Sequence, residues 1–417
     1  MRIAIVGSGV SGLVAAHLLH PHHEVTMFEA RGRIGGHVNT IELPSVDGSP
    51  LAIDTGFIVY NEHNYPVFSK LLDQLGVETQ PSDMSFSVRC DRTGLEYNGS
   101  TIRQLFAQRR NLFRPSFHRM LRDILRFNRE ATSAILDGAS DLTLGAYVEA
   151  AGYSHGLSEH YLLPMGSALW SVPRDQVLEM PAAFFIRFFE NHGMLTVDDR
   201  PQWRVVRGGS AQYVERLVEP FRDRVRTNTP VRRVERIPSD GDATVTGVTV
   251  DGESFDHVIL ACHSDQALSL LADPTREERS ILGAMPYQEN DIVLHTDESV
   301  LPRTRRAWGA WNYHLQGDTS GPATVTYNMN MLQTLSGPRT YCVTLNATDL
   351  VAPESILYRT TFHHPAYTMA GFAAQERHAE ISGVQRTHFC GAYWGFGFHE
   401  DGARSGVRVA EALGASL

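Results

Sequence analysis

Ile3, Ala4, Ile5 and Val6 open the chain as a short apolar run of the kind that forms a buried strand. Gly7, Gly9 and Gly12 follow, and residues 13–19 carry the apolar density of a helix. Residues 25–28 (VTMF) are a second run of strand length, closed by Glu29. Residues 54–60 read as extended. From 61 to 200 the apolar spacing is mostly helical, for example over 66–75 and 101–136. Residues 203–217 return to a strand and a glycine pair before a helix. Residues 228–263 add strands, 264–384 alternate strands and helices, and 385–417 close with a strand, a turn and a helix.

The first of these units carries chemistry. Strand, G-x-G-x-x-G turn, helix, strand and acid in that order form a dinucleotide-binding unit. The glycines permit a tight turn and let backbone approach a pyrophosphate. The helix start offers free N–H groups and a positive dipole end. Glu29 is placed to accept hydrogen bonds from ribose hydroxyls. This much leaves nicotinamide and flavin dinucleotides both open. Ala30 through His37 then adds Gly35-Gly36, a second close backbone approach, with Arg31 and Arg33 as cations. A nicotinamide site needs no such second pair, so the reading moves to FAD.

Residues 29–37, EARGRIGGH, resemble the second FAD motif of the flavin amine oxidase superfamily. That group includes monoamine oxidases, protoporphyrinogen oxidases and carotenoid desaturases. Thr229 through Val234, with a hairpin and then DHVILA at 256–261, resembles its returning adenine-side strands, with Val231 meeting the adenine edge through its backbone. Residues 389–406 resemble the closing flavin motif, in which a helix beginning near Gly402 points at flavin N1 and O2. The resemblance implies an α/β fold: a Rossmann-like FAD-binding domain of glutathione-reductase type with amine oxidase topology. It is interleaved with an α+β substrate domain. The FAD domain is expected from 1–60, 201–263 and 385–417, and the substrate domain from 61–200 and 264–384. The implied cofactor contacts are Gly7, Gly9, Ser11, Gly12, Glu29, Ala30, Arg31, Gly35, Gly36 and His37. Thr55, Gly56, Phe57, Ile58 and Val231 join them, as do Gly391, Glu400, Asp401, Gly402 and Ala403. His37 stands where the family usually has arginine. The closing motif reads Gly391-Ala392-Tyr393-Trp394-Gly395, with no cysteine for a covalent flavin link, so the FAD is expected to be non-covalent.

Composition narrows the partners. A net charge of −10 argues against general nucleic-acid binding. Cys90, Cys262, Cys342 and Cys390 lack metal or disulfide spacing and read as free thiols in a reducing compartment. The histidines, including His22-His23 and His363-His364, have no companion ligands and read as surface or core residues. No apolar run approaches the roughly 20 residues that span a bilayer. The chain enters a strand at once, which predicts no signal peptide and a cytoplasmic protein. Residues 103–129 invert the overall charge: Arg103, Arg109, Arg110, Arg114, Arg119, Arg122, Arg126 and Arg129 against the single acid Asp123. Phenylalanines and leucines are interleaved among them. Two readings stand: a helix pair lying on the inner face of an anionic membrane, or a helix hairpin covering the substrate domain.

Flavin accepts hydride from activated C–H bonds, beside nitrogen, beside a carbonyl or allylic to a double bond. Lys70, the only lysine, lies outside the FAD motifs, which lowers an amine oxidase reading. His192, as a base, and Tyr60 are the catalytic candidates, although a satisfied structural histidine is the favoured account of His192. Trp170, Trp311, Tyr313, Tyr327 and Trp394 are candidates to line an apolar, aromatic pocket. A closer resemblance adds a substrate class. DTGFIVYNEHNYP (54–66), ALWSVP (168–173), FFENHG (188–193) and ACHSDQAL (261–268) are similar to a bacterial branch of FAD-binding oxidoreductases. That branch is associated with cyclopropane-fatty-acid-synthase-like enzymes and with desaturation of methylated acyl chains. It implies a lipid acyl substrate and allylic hydride removal. A flavin amine oxidase or carotenoid-type desaturase is the alternative, and a flavin-binding redox protein without turnover is a third.

Overall fold

The computed structural model describes residues 1–44, 50–136, 141–196, 200–239, 244–317 and 323–417. Its first sheet is parallel throughout. Five strands run in the order Val225–Arg226, Glu24–Phe28, Arg2–Val6, His257–Leu260, Thr387–Phe389. Its central strand is buried on both faces, which explains why IAIV reads as a continuous apolar run rather than an alternation. Helix Val10–Leu19 and the terminal helix His399–Ala412 pack together on this sheet. An antiparallel three-stranded sheet, Val234–Pro238, Val245–Val250 and Glu253–Phe255, adjoins it.

A second large sheet has seven strands. Its order is Ile356–Pro365, Tyr287–His295, Cys342–Leu345, Val325–Asn328, Trp311–Leu315, Phe86–Cys90, Leu95–Asn98. Two of these strands come from the stretch expected to be mostly helical. Phe86–Cys90 lies parallel to Trp311–Leu315, from which more than two hundred residues separate it. Short strands paired at that sequence distance leave no local periodic signal. The helical expectation for 101–136 is also divided. Helix Ile102–Leu105, a 3-10 turn Arg109–Phe113 and helix Pro115–Leu136 replace one continuous run. Pro115 cannot continue a preceding helix but suits the first position of a new one.

One buried carboxylate, at the end of strand Pro50–Asp54, ties strand Thr40–Pro44 to the start of helix Ala211–Val218 and to the end of helix Met329–Leu332. Asp54 accepts hydrogen bonds from Ser210 N (2.9 Å), Thr40 Oγ1 (2.6 Å) and Gln333 Nε2 (3.3 Å). Burial pushes its carboxyl up to about 6.

Candidate FAD and substrate site

A cavity of about 630 Å³ lies between the C-terminal edge of the parallel sheet and one face of the seven-stranded sheet. Its dinucleotide end is built by the first turn. Helix Val10–Leu19 begins after Gly9 with no side-chain cap, so its first-turn N–H groups are left for a ligand or water. Gly9 and Gly36 touch: a Cβ on Gly36 would lie 2.9 Å from Gly9 Cα. A Cβ on Gly9 would meet nothing within 4 Å. Glu29 is fixed from behind, one oxygen accepting from Ser8 N (3.1 Å) and Ser8 Oγ (2.5 Å), the other from Arg31 N (2.8 Å). The carboxylate is thereby aimed along the cavity wall it helps to form. Uncapped donors, a glycine cradle and a preset acid fit the diphosphate and ribose of a dinucleotide.

Of the residues expected to hold the cofactor, Gly7, Gly9, Ser11, Glu29, Ala30, Arg31, Gly36, His37, Thr55, Gly56, Phe57, Ile58, Val231 and Gly391 line this cavity. Gly12, Gly35, Glu400, Asp401, Gly402 and Ala403 do not. Gly12 packs the helix against the turn, since a Cβ there would sit 2.1 Å from Gly7 O. Gly35 donates its N–H to Ser8 O (3.0 Å). The closing helix starts at His399, three residues before the expected Gly402. Phe398 N donates to Asp401 (3.1 Å), which caps that start from inside. Glu400 turns away and accepts from Val67 N (3.2 Å) and Phe68 N (3.0 Å), capping helix Pro66–Gln74. Gly402 and the buried Ala403 serve packing, with Gly402 seated against Val10. Phe398 and His399 are therefore the closing helix's contribution to the cavity.

The catalytic candidates lie outside it. His192 donates Nδ1–H to Phe188 O (2.9 Å) and stacks on the Phe188 ring at 3.8 Å. Burial pushes it down to about 4. Tyr60 is buried among Tyr65 and Phe68. Trp170 donates to Phe396 O (3.0 Å) within a phenylalanine cluster, Trp394 packs on His378, and Tyr313 is in the core. Trp311 and Tyr327 do line the cavity, paired across adjacent strands with rings 4.7 Å apart. Lys70 is on helix Pro66–Gln74 and donates to Leu417 O.

Several wall residues were not among the site candidates of the sequence. Met84, Leu169, Ile292, Val343 and Leu345 form an apolar wing, with Tyr65 and Trp203 also on the wall. His263, His363 and His364 join His37 on the wall of the cavity. Burial drives His37 and His364 down to about 3 and His263 down to about 4, so these rings are neutral near pH 7. The four cysteines are free, and Cys262, on the wall, has its thiol pushed up to about 12 by burial.

The sequence profile of the flavin-containing amine oxidoreductases matches residues 10–304. The chain belongs to that family. It is an FAD-dependent oxidoreductase. A chain from Mycobacterium tuberculosis named as a flavin-containing monoamine oxidase is 25% identical over 350 residues, covering 79% of this chain and 70% of that one. Cyclohexylamine oxidase from Brevibacterium oxydans shares the fold at a TM-score of 0.69 and 17% identity, over 99% of this chain and 98% of that one. A CLA-producing fatty acid isomerase from P. acnes does so at 0.69 and 14%, over 99% of both chains. The α/β amine oxidase fold expected from the motifs is the one observed.

Proposed function

We propose that this oxidoreductase desaturates an unsaturated, methyl-branched fatty acyl chain of a lipid at an allylic position. The observation that carries the reading is the chemistry of the cavity wall. Among the described residues, its charged side chains are Glu29, Arg31 and Arg33, all from the glycine-turn end. Arg33 is committed to the loop, donating to Val38 O (2.7 Å) and Gly36 O (2.8 Å). The wing of Met84, Leu169, Ile292, Val343 and Leu345 offers no carboxylate for an ammonium and no lysine. An acyl chain buries methylenes there at roughly 0.8 kcal/mol each.

When bound, FAD would supply the acceptor for a hydride from a C–H bond beside a double bond, and the second hydrogen would leave as a proton to a weak base or an ordered water. The protein's own part is to exclude water and hold the chain in one orientation between Trp311 and Tyr327 and the aliphatic wall. The four segments that resemble the acyl-desaturating branch all reach this wall. Thr55–Val59 and Tyr65, Leu169 and Ser171, Phe188, and Ala261–His263 with Gln266 come one set from each. One protein of the same fold is, by its name, a fatty acid isomerase, which supports the same substrate class.

Anaerobic mixing of the FAD-loaded protein with candidate substrates tests this. Bleaching of the flavin absorbance by methyl-branched unsaturated phospholipid, and not by its saturated counterpart, is expected. Bleaching by amines or by polyenes alone would replace the acyl reading with one of those. No bleaching by any of them would point to a flavin protein without turnover on these compounds.

A further inference from the structure

We infer that the face built by residues 102–129 docks the protein onto an anionic lipid bilayer. This rests on the surface itself and not on the acyl reading. No helix among the described residues is long and apolar enough to cross a membrane, so the contact argued here is peripheral.

Large apolar side chains are exposed where arginines are densest. Phe113 is 86% exposed and Ile102 78%, with Leu112 and Leu125 also exposed. Around them Arg103, Arg109, Arg110, Arg119, Arg122 and Arg129 are exposed as well. On helix Pro115–Leu136 the spacing puts Arg119, Arg122, Arg126 and Arg129 along one face. Phe117, Met120 and Phe127, on the opposite face, are buried. The acids nearby are already engaged. Asp123 accepts from Ser154 N (3.1 Å) and Glu130 pairs with Arg126 (2.8 Å). Among the described residues, Arg126 is the only one of the eight arginines in an ion pair. The turn Arg305–Ala307, packed on helix Ile102–Leu105, adds the exposed Arg306 to the same neighbourhood.

The exposed tip is held in place rather than loose. Buried Asn111 donates Nδ2–H to Glu96 O (3.2 Å) and its own N–H to Gln108 O (2.9 Å). Arg114 donates to Thr93 O (3.0 Å), and His118 Nε2–H to Leu112 O (2.8 Å). These bonds fix a 3-10 turn whose outward residues are Leu112 and Phe113. Burying such side chains in an interior would be favourable, so a rigid turn that keeps them in water needs an external apolar medium. Arginines around that tip, in a chain of net charge −10, select an anionic surface over a neutral one. Apolar insertion with a cationic rim matches the headgroup boundary of such a bilayer. Helix Pro115–Leu136 in turn packs on helix Ala182–Asn191, whose Phe188 is part of the cavity wall.

Co-sedimentation of the full FAD-loaded chain with vesicles tests the docking. Phosphatidylglycerol-containing vesicles should pellet it at low salt, with binding falling as salt rises, and phosphatidylcholine vesicles should not. Phe113→Ser combined with Arg119→Glu and Arg122→Glu should weaken binding at least about tenfold while flavin content and melting temperature hold. Each of those side chains is solvent-exposed, so the fold does not depend on them. Failure to pellet with anionic vesicles at low salt would overturn the proposal. So would equal binding by the triple variant, or self-association through this face in sedimentation velocity without lipid.

Discussion

His37 and His364 face each other at the cavity wall with ring centroids 5.2 Å apart, and burial drives both down to about 3. His37 also donates Nε2–H to His363 O (3.1 Å) and stacks on Phe362 at 4.8 Å. In the unfolded chain both rings take up protons near pH 6.5. The folded chain resists protonation until about 3, so the unfolded state binds more protons between those values, and stability falls as pH drops through that window. Asp54 and Asp401 act in the opposite sense, since burial pushes both up to about 6 and the folded state takes up their protons first. The histidines prevail by number, because His192 and His263 are also pushed down, to about 4. The apoprotein should therefore lose stability steadily below pH 6.5. His364→Gln keeps an acceptor for Asn290 Nδ2 (3.0 Å) and should flatten the slope by up to about 1.4 kcal/mol per pH unit. Urea midpoints at successive pH values check this, and an unchanged slope would sink it.

The two outer roles of the glycine turn separate under mutation. Gly9→Glu projects into the open cavity, where its Cβ meets nothing within 4 Å. It should leave a folded, colourless protein whose apo melting temperature matches wild type. Gly12→Val instead drives a Cβ to 2.1 Å from Gly7 O. It should cost roughly 1–3 kcal/mol of stability before flavin binding is considered. Flavin content of purified protein and thermal melts of the apo forms distinguish the two. A yellow Gly9→Glu protein would show that this turn does not hold the dinucleotide.

How much of this was legible from sequence follows from how local each feature is. Strand, turn, helix and Glu29 lie within thirty residues of one another, and each makes its contact with near neighbours, so the motif carries its own geometry. The closing helix was placed three residues late because Phe398 precedes it, a residue with no side-chain acceptor for capping. The acid that caps it, Asp401, sits inside the helix. Glu400 looked like a flavin residue from its motif but caps a helix beginning at Pro66, a partner no local pattern names. Of the apolar wing only Leu169 lay in a segment read from the sequence. Ile292, Val343 and Leu345 reach one cavity through strand register, Ile292 opposite Leu345 and Leu294 opposite Val343, set by pairing between distant segments. His192 was attractive as a base from its glycine and aromatic neighbours. The hydrogen bond to Phe188 O, four residues back, turns its ring into the helix end instead.

That placement separates wall residues from supporting ones in kinetics. Trp311 and Tyr327 face the cavity, whereas His192 and Tyr60 stand behind it. Trp311→Ala should lower kcat/KM at least about tenfold, equivalent to about 1.4 kcal/mol of transition-state contact, with whichever compound bleaches the flavin. His192→Asn loses a stacked ring behind Phe188 and should cost roughly 1–3 kcal/mol of stability. Its rate of flavin reduction should stay within about twofold of wild type at pH 7, because the neutral His192 ring has no access to the cavity. Tyr60→Phe, which removes only a hydroxyl from a buried ring, should be kinetically silent. Single-turnover flavin reduction and urea melts on the same preparations read both quantities. A large rate loss in His192→Asn at unchanged stability would return that histidine to the chemistry.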